Sequence, residues 1–559
     1  MKLRQQFLQL HTLAAGADRV ETTLDEIGRE LECTPRNAAN VIRAMSRNGW
    51  VTWSSSRGRG RRSTLVFLAQ PEDIAVQSVL QAIDRKGVAR AIGQLKLHRR
   101  SSALQEHLQG WLLSYFGHHA ETSSDRQIDT LRIPIRQPLQ TVDPLYMNLL
   151  AESFVSSHVF DGLVRRSDRG DGIAPGIAHA WETDEARSSW TFYLRKEILF
   201  HHGKVLTAED VVFTFDRLIR SPRRTLYSLI YKRIKSVRAL NPTVVRFELE
   251  EPNELFLPFL CTSRAAIVPK DLSRIGSARF GTEPVGTGPF KVAEMNEAVC
   301  VMEAFGSYFQ GRAHLDRVEI VHVPWASEEK GGGHAEVSPF HVIPNASSRV
   351  AEWSRIHSET TIRKFVTCNT QKPGPLTDPA VREHVFRCLG GDSPNAPMPA
   401  RATVPLRIAT ISPYSADAAE AAAKLGSFGY ACEVLAVSPE EFKGAIRLES
   451  DLILFSLLRD RDEQLRLYDL YMTISGHVDA HTRIDIGQLL ARVRKEPDAE
   501  ARGRDLDRIE RLLIAERQLH ILSEKPIPTA YVPFVRGLTF NSQGWVNLRT
   551  IWFPPDLAK

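Results

Sequence analysis

The sequence predicts a multidomain protein in which a small, α-rich, basic head precedes a helical connector and a large α/β portion. Three observations point there. At 559 residues the chain exceeds what one hydrophobic core serves, so two or three domains are expected. Residues 1 to 70 carry one Lys and ten Arg against six acids, a net +5, while the whole chain is only +6. From Asp129 onward, short alternating strands interleave with helical segments. With 43% apolar and 25% charged residues, the composition is that of an ordinary globular protein able to bury a large core.

The head is organised around Thr34 to Leu68, which holds seven arginines and no acid. Thr34-Pro35 supplies a hydroxyl N-cap and a Pro at the first helical position, so a helix is expected from Pro35 to about Asn48. Within it Arg36, Asn40, Arg43 and Arg47 share one face, with Asn37 beside them, and Ala38, Val41, Ile42 and Met45 share the opposite one. Gly49 suits the helix end. Beyond it, Trp50-Val-Thr-Trp53 and Ser63-Thr-Leu-Val-Phe-Leu68 read as a β-hairpin whose loop carries Arg57, Arg59, Arg61 and Arg62 with Gly58 and Gly60. Upstream, Thr23-Leu-Asp-Glu26 is a capping box opening a helix from about 24 to 31, and Met1 to Leu13 makes a further helix. Helix, helix, short turn, helix and basic hairpin are the parts of a winged helix-turn-helix with residues 35 to 48 as its recognition helix. Arg can pair with guanine O6 and N7, Asn with adenine N6 and N7, and an Arg-rich loop can neutralise phosphates. Arg36, Asn37, Asn40, Arg43, Arg47, Arg57, Arg59, Arg61 and Arg62 are therefore the candidate DNA-binding residues. The plainer alternative is a solvated cationic helix on a protein-binding domain.

Residues 71 to 128 form the connector, with Val76, Val79, Leu80 and Ile83 beginning a helical apolar stripe that could dimerise or dock on the next domain. Arg85-Lys86 and His98-Arg99-Arg100 could extend the DNA footprint or simply be solvated. His118 to Arg126 is polar and expected to be a loose hinge. In the third domain, 129 to 559, strands are expected at Leu131–Ile135, Trp190–Arg195 and Thr243–Leu249, and a helix after Thr207. Arg407–Ile411, Ala416–Phe428 and Glu433–Val437 read as β-α-β. Gly331-Gly332-Gly333 lies in an unpatterned stretch and lacks the spacing of a nucleotide-binding loop.

Other function classes find little support. The N-terminus has polar residues at helical spacing rather than an apolar leader, and nothing approaches 18 uninterrupted apolar residues, so neither export nor membrane insertion is expected. Six scattered cysteines without a C-x-x-C argue for reduced thiols in the cytoplasm. The pairs His118-His119 and His201-His202 are neighbours that point different ways, so no metal site is expected and no cofactor is implied. No catalytic residues emerge: G-x-S-x-G, H-E-x-x-H and Walker patterns are all lacking.

Residues 174 to 218 (Pro-Gly-Ile-Ala-His-Ala-Trp-Glu, Trp190-Thr-Phe-Tyr-Leu-Arg-Lys, and Phe200 to Phe215) resemble the signature block of family 5 solute-binding proteins, the peptide receptors of ABC importers. Pro284-Val-Gly-Thr-Gly-Pro-Phe-Lys-Val, Tyr308-Phe-Gln-Gly and Asn369 to Arg382 are similar to further blocks in the same order. Joined to a winged helix, the chain resembles SgrR-type transcriptional regulators, whose pattern also covers Arg47–Trp53, Gly58–Leu68 and the tail Arg536-Gly-Leu538, Gly544-Trp545 and Trp552-Phe-Pro-Pro555. The resemblance implies a two-lobed α/β, periplasmic-binding-protein-like (type II) domain with a second lobe at about 366 to 500.

It also implies a cytoplasmic activator sensing a small solute, for which a sugar phosphate is the candidate. One departure bears on the ligand. Where peptide receptors usually carry an Asp for the ligand's amino group, this chain has Asp451 to Asp462, with Arg459 and Arg461. These two arginines could hold a phosphate, or be solvated loop charges. The expected partners are double-stranded promoter DNA, a solute in the interlobe cleft and RNA polymerase, with a homodimer as a further expectation and no membrane. The alternative is a solute or peptide receptor of an ABC importer, and a scaffold would not need so basic a head.

Overall fold

The computed structural model describes residues 2–14, 17–55, 62–71, 74, 115–123, 126–135, 138–167, 172–222, 225–272, 276–322, 354–357, 360–391, 405–460, 463–526, 529–531, 535–541 and 545–554. The chain forms two compact units, one essentially Met1–Gly117 and the other His118–Ile343 with Arg349–Lys559. The wing tip with Arg57, Arg59 and Arg61, most of the connector including Arg85-Lys86 and Arg99-Arg100, Gly331–Gly333 and Arg461 lie outside the described residues.

The first unit is a winged helix-turn-helix. Helices α1 (Lys2–Leu13), α2 (Leu24–Glu30) and α3 (Pro35–Arg47) pack around Phe7, Leu10, Ile27, Leu31, Val41, Ile42 and Met45, all buried. Strands β1 (Arg19–Thr22), β2 (Val51–Ser54) and β3 (Ser63–Phe67) make an antiparallel sheet in the order β1-β3-β2. The hairpin was expected, whereas β1 was not. Its four residues contain one aliphatic side chain, Val20, too little for a period-two signal. The turn between α2 and α3 is tight: a Cβ on Gly28 would stand 2.7 Å from the Cys33 carbonyl oxygen. A glycine inside a helix is thereby explained by close backbone approach.

The second unit has two lobes. In the first, β4 (Gly117–Ser123) and β5 (Arg126–Ile135) lead into helix α4 (Leu150–Val159), then β6 (Ala178–Thr183), β7 (Ser189–Leu194), helix α5 (Ala208–Arg220), β8 (Ile234–Asn241) and β9 (Val244–Leu249), and finally β10 (Phe290–Met295), β11 (Val299–Ala304) and β12 (Arg317–His322). Two sheets result, β8-β9-β7-β6 and β10-β11-β12-β5-β4, the pair β12 and β5 being parallel. The hinge expected over His118–Arg126 is thus largely strand. His118 bonds Asp129 at 2.8 Å and stacks on Phe553 with ring centroids 3.9 Å apart, contacts that a polar segment's own pattern does not announce.

The chain enters and leaves the second lobe through paired strands β13 (Ser354–His357) and β19 (Thr529–Tyr531). Between them lie β14 (Thr361–Cys368), helix α6 (Pro379–Gly390), β15 (Leu406–Ile411), helix α7 (Ser415–Ser427), β16 (Cys432–Val437), β17 (Leu452–Arg459), helices α8 (Glu463–Ile474), α9 (Ala480–Lys495) and α10 (Ala499–Ala515), and β18 (Leu519–Pro526). The sheet order is β16-β15-β17-β14-β18, with the expected β-α-β as parallel β15 and β16 joined by α7. This lobe extends beyond 366 to 500 at both ends. The tail then returns to the first lobe, where Val535, Trp545, Val546, Leu548 and Ile551 complete its core.

Candidate functional sites

In the head, the Thr34 hydroxyl accepts from the Asn37 backbone N–H at 3.3 Å and starts α3. Burial of Ala38, Val41, Ile42 and Met45 then leaves Arg36, Asn37, Asn40, Arg43 and Arg47 exposed along the other side. All five sequence-predicted residues of this helix therefore lie on one exposed face of a helix that carries no acid. Gly49 takes the left-handed conformation, φ 70°, that turns the chain into β2. Arg62, at the wing's root, bonds Glu26 of α2 at 3.1 Å.

In the second unit, a chamber lies between the lobes. Two adjoining cavities of about 190 and 270 Å³ share Asn148 and Leu226 from the first lobe with Ile411, Tyr414, Phe442, Lys443, Phe455, Ser456 and Arg466 from the second. Its walls are mainly aromatic and aliphatic, with Lys443, Arg466, Arg264 and Arg447 as cations and Asp469 as an acid. Bonds cross it: Lys443 Nζ donates to Asn148 Oδ1, the Tyr227 N–H donates to Asp469 Oδ1 at 3.0 Å, and Arg466 donates to the Tyr227 hydroxyl at 3.3 Å. Tyr227 holds a left-handed backbone, φ 64°, which a bulky side chain adopts at a cost. Arg466 is itself aimed by Asp460, whose side chain is fully buried, at 2.7 Å.

Arg459 does not line this chamber. Its guanidinium is paired with Glu463 and Glu524, so the expected phosphate contact there meets a charge already matched by carboxylates. Lys443, Arg466, Tyr227 and Asp469 were missed by sequence reading. Tyr227 and Asp469 are 242 positions apart, and no local spacing links them.

A second, more polar cavity of about 190 Å³ sits within the first lobe, with Arg165, Arg549, Tyr308 and Asn547 on its walls; Thr262 and Ser263 are common to both sites. Asp161 lies there, accepting from Thr287 and Tyr308 at 3.0 Å each, and burial pushes its pKa up to about 6. The glycines of Val285-Gly-Thr-Gly288 pack flat behind it: a Cβ on Gly286 would stand 2.0 Å from the Val159 carbonyl oxygen. His201 bonds the Gly288 carbonyl at 3.0 Å while His202 faces Asp271, so the two rings diverge. Among the described residues no group of three or more His, Cys, Asp or Glu is placed to hold a metal ion, and no helix is long and apolar enough to cross a membrane.

Residues 2–119 match the N-terminal domain of the sugar transport-related sRNA regulator family, and residues 172–383 match the middle region of bacterial extracellular solute-binding proteins, family 5. An uncharacterised Bacillus subtilis protein, YhjP, is 26% identical over 95% of this chain and 96% of its own length. The HTH-type transcriptional regulators SgrR of Yersinia enterocolitica and Pectobacterium atrosepticum are each 30% identical over 59% of this chain, and the match spans 55% of their length. Among solved structures, the Helicobacter pylori periplasmic binding protein DppA in complex with a peptide superimposes with a TM-score of 0.61 at 18% identity, covering 76% of this chain and 98% of that one. A Pseudoalteromonas dipeptide-binding protein in complex with Met-Leu gives 0.61 at 16% identity, covering 76% and 100%. At such identities the likeness establishes the type II two-lobed fold.

Proposed function

The chain belongs to the SgrR type, an SgrR N-terminal domain joined to a family 5 solute-binding domain, and from that premise we propose that it is a cytoplasmic, DNA-binding transcriptional activator controlled by a small solute. The observation that carries this reading is the exposed row Arg36, Asn37, Asn40, Arg43 and Arg47, backed by a fully apolar opposite face. Arg36, Asn37, Asn40 and Arg43 read base edges, Arg47 and the wing arginines Arg57, Arg59, Arg61 and Arg62 hold phosphates or the minor groove, and RNA polymerase contacts or a homodimer through the connector add specificity.

The solute enters the interlobe chamber. A sugar phosphate suits it: the ring's C–H face can lie on Phe442, Phe455 or Tyr414, and the phosphate can take a charge-assisted bond from Lys443. Arg461 remains a proposed contributor. Closure of the lobes is the two-state element, and by linkage DNA and solute change each other's affinity by the same factor, about 5- to 150-fold for a typical coupling. An importer receptor would share the fold but have no use for the basic head.

The test is a titration of the full chain with its own upstream promoter DNA at two salt concentrations, with and without glucose 6-phosphate. A specific, salt-sensitive complex that shifts with the sugar phosphate is the expected result. Specific binding that ignores it would remove that ligand, and no specific binding at either salt would remove the regulator.

A further inference from the structure

We propose that Glu26 is a positioning residue for DNA binding, one carboxylate that fixes the root of the wing, and with it Arg62, to the helix-turn-helix. The inference rests on the DNA-binding reading of the head. Its ground is that the two oxygens of Glu26 do separate work. Oε2 accepts from the Thr23 N–H at 3.1 Å and the Thr22 hydroxyl at 2.9 Å, closing the capping box of α2. Oε1 accepts from Arg62 Nη2 at 3.1 Å.

Three chain segments meet at this one side chain. Thr22 ends β1 and is paired with Ser63, the first residue of β3, and Arg62 is the residue just before Ser63. The wing therefore leaves the sheet at a point already tied to the N-terminus of α2, the helix that packs directly on the recognition helix α3. An Arg held by a carboxylate keeps its guanidinium fork in a fixed orientation, which suits a phosphate or minor-groove contact better than a freely rotating side chain does. Arg62 stays 60% exposed at its side chain, on the surface where the wing leaves the sheet. Glu26 then contributes to binding although it bears the same charge as the phosphates.

That sign makes the proposal testable by a double-mutant cycle on the full chain, using Glu26→Gln, Arg62→Ala and the pair. Gln at this position still closes a capping box, so the helix start is kept. Promoter-DNA affinity is measured for all four proteins across a salt series. Removing a carboxylate near DNA tightens binding generically, and the Arg62→Ala background measures that generic gain. The expected result is that Glu26→Gln is at least about threefold less favourable for binding when Arg62 is present than when it is absent, with Arg62→Ala lowering the salt slope by about one. A cycle that closes, or Glu26→Gln tightening binding more when Arg62 is present, would overturn the assignment, because Glu26 would then be a bystander or a competitor of phosphate. Wild-type protein that binds the promoter while the cycle closes removes this inference alone. Wild-type protein with no specific complex removes the DNA-binding reading as well.

Discussion

The recognition helix and the interlobe chamber both present cations together with Asn, under opposite constraints. On α3 the functional residues are exposed, close in sequence and held by a backbone whose buried stripe is written every three to four residues. In the chamber they come from Asn148, Tyr227, Lys443 and Arg466, on four segments of two lobes. Changing an α3 side chain should alter binding and leave the fold alone. Changing a residue around the chamber should disturb packing and binding together, since Tyr227, Asp469 and Lys443 both line the space and tie the lobes.

The largest effect expected on the second unit is at Asp143. Its side chain is fully buried, bonded by both terminal nitrogens of Arg217, one at 2.7 Å, and by the Leu145 N–H at 2.9 Å. Asp143→Ala leaves a largely buried guanidinium without its counter-charge, and should lower stability by about 3 to 5 kcal/mol, read as a fall in the urea midpoint of the second unit. The head's helices should melt unchanged, and a common shift in both transitions would mean the units are not independent.

Next comes pH. His158 Nδ1 donates to the Phe154 carbonyl and Nε2 accepts from the Leu548 N–H at 3.1 Å, a tautomer assigned from those partners. Protonation would set a donor against a donor, and burial lowers the pKa to about 4. His201 is lowered to about 4 as well. Since the unfolded chain binds these protons near the ordinary value of 6.5, stability is present above it and is lost as pH falls from there to about 4, by about 3 kcal/mol for His158. Asp161, raised to about 6, acts with the opposite sign, stabilising at low pH and losing that contribution as pH rises through 6. His158→Gln should flatten the acid limb in a pH series of thermal melts, and an unchanged limb would exclude His158 as its source.

On the head, Asn40→Ala or Arg43→Ala should cost about 1 to 3 kcal/mol of binding and relax preference at one base position, with thermal stability unchanged. Replacing Arg57, Arg59 and Arg61 together should weaken all sequences alike and reduce the salt slope by about 0.9 for each phosphate that these arginines neutralise. Equal losses on every sequence for Asn40→Ala would move that residue from base reading to backbone contact.

These two regions also show what a single sequence exposes. The head was legible because its code is local: the Thr34 cap, the arginine and amide positions of α3 and the hairpin all lie within one stretch, and each was found where its spacing put it. The lobes' α/β composition was legible, as was the parallel pair β15 and β16. The chamber was not. Tyr227 owes its place to Asp469 and Arg466 on α8, and Lys443 to Asn148, so each is meaningful only after long loops have closed. The strand β4 was hidden for a related reason, its stability coming from β5 and from Phe553 near the far end of the chain.

The smallest effect is expected at Arg459, and it separates a cation that matches a ligand by sequence from one placed to meet it. Arg459 is about one-third exposed and engages Glu463, the first residue of α8, and Glu524 on β18, while neither cavity of the chamber includes it. Exposed and half-exposed ion pairs are worth about 0 to 1 kcal/mol, so Arg459→Gln should change the urea midpoint little. It should also leave the response of promoter binding to glucose 6-phosphate within about twofold, whereas Lys443→Gln, which removes a cation facing the chamber, should reduce that response by about tenfold, the factor that 1.4 kcal/mol represents. The reverse ranking would return the anion site to the turn after β17, and would mean that the lobes bind their solute in an arrangement more open than this one.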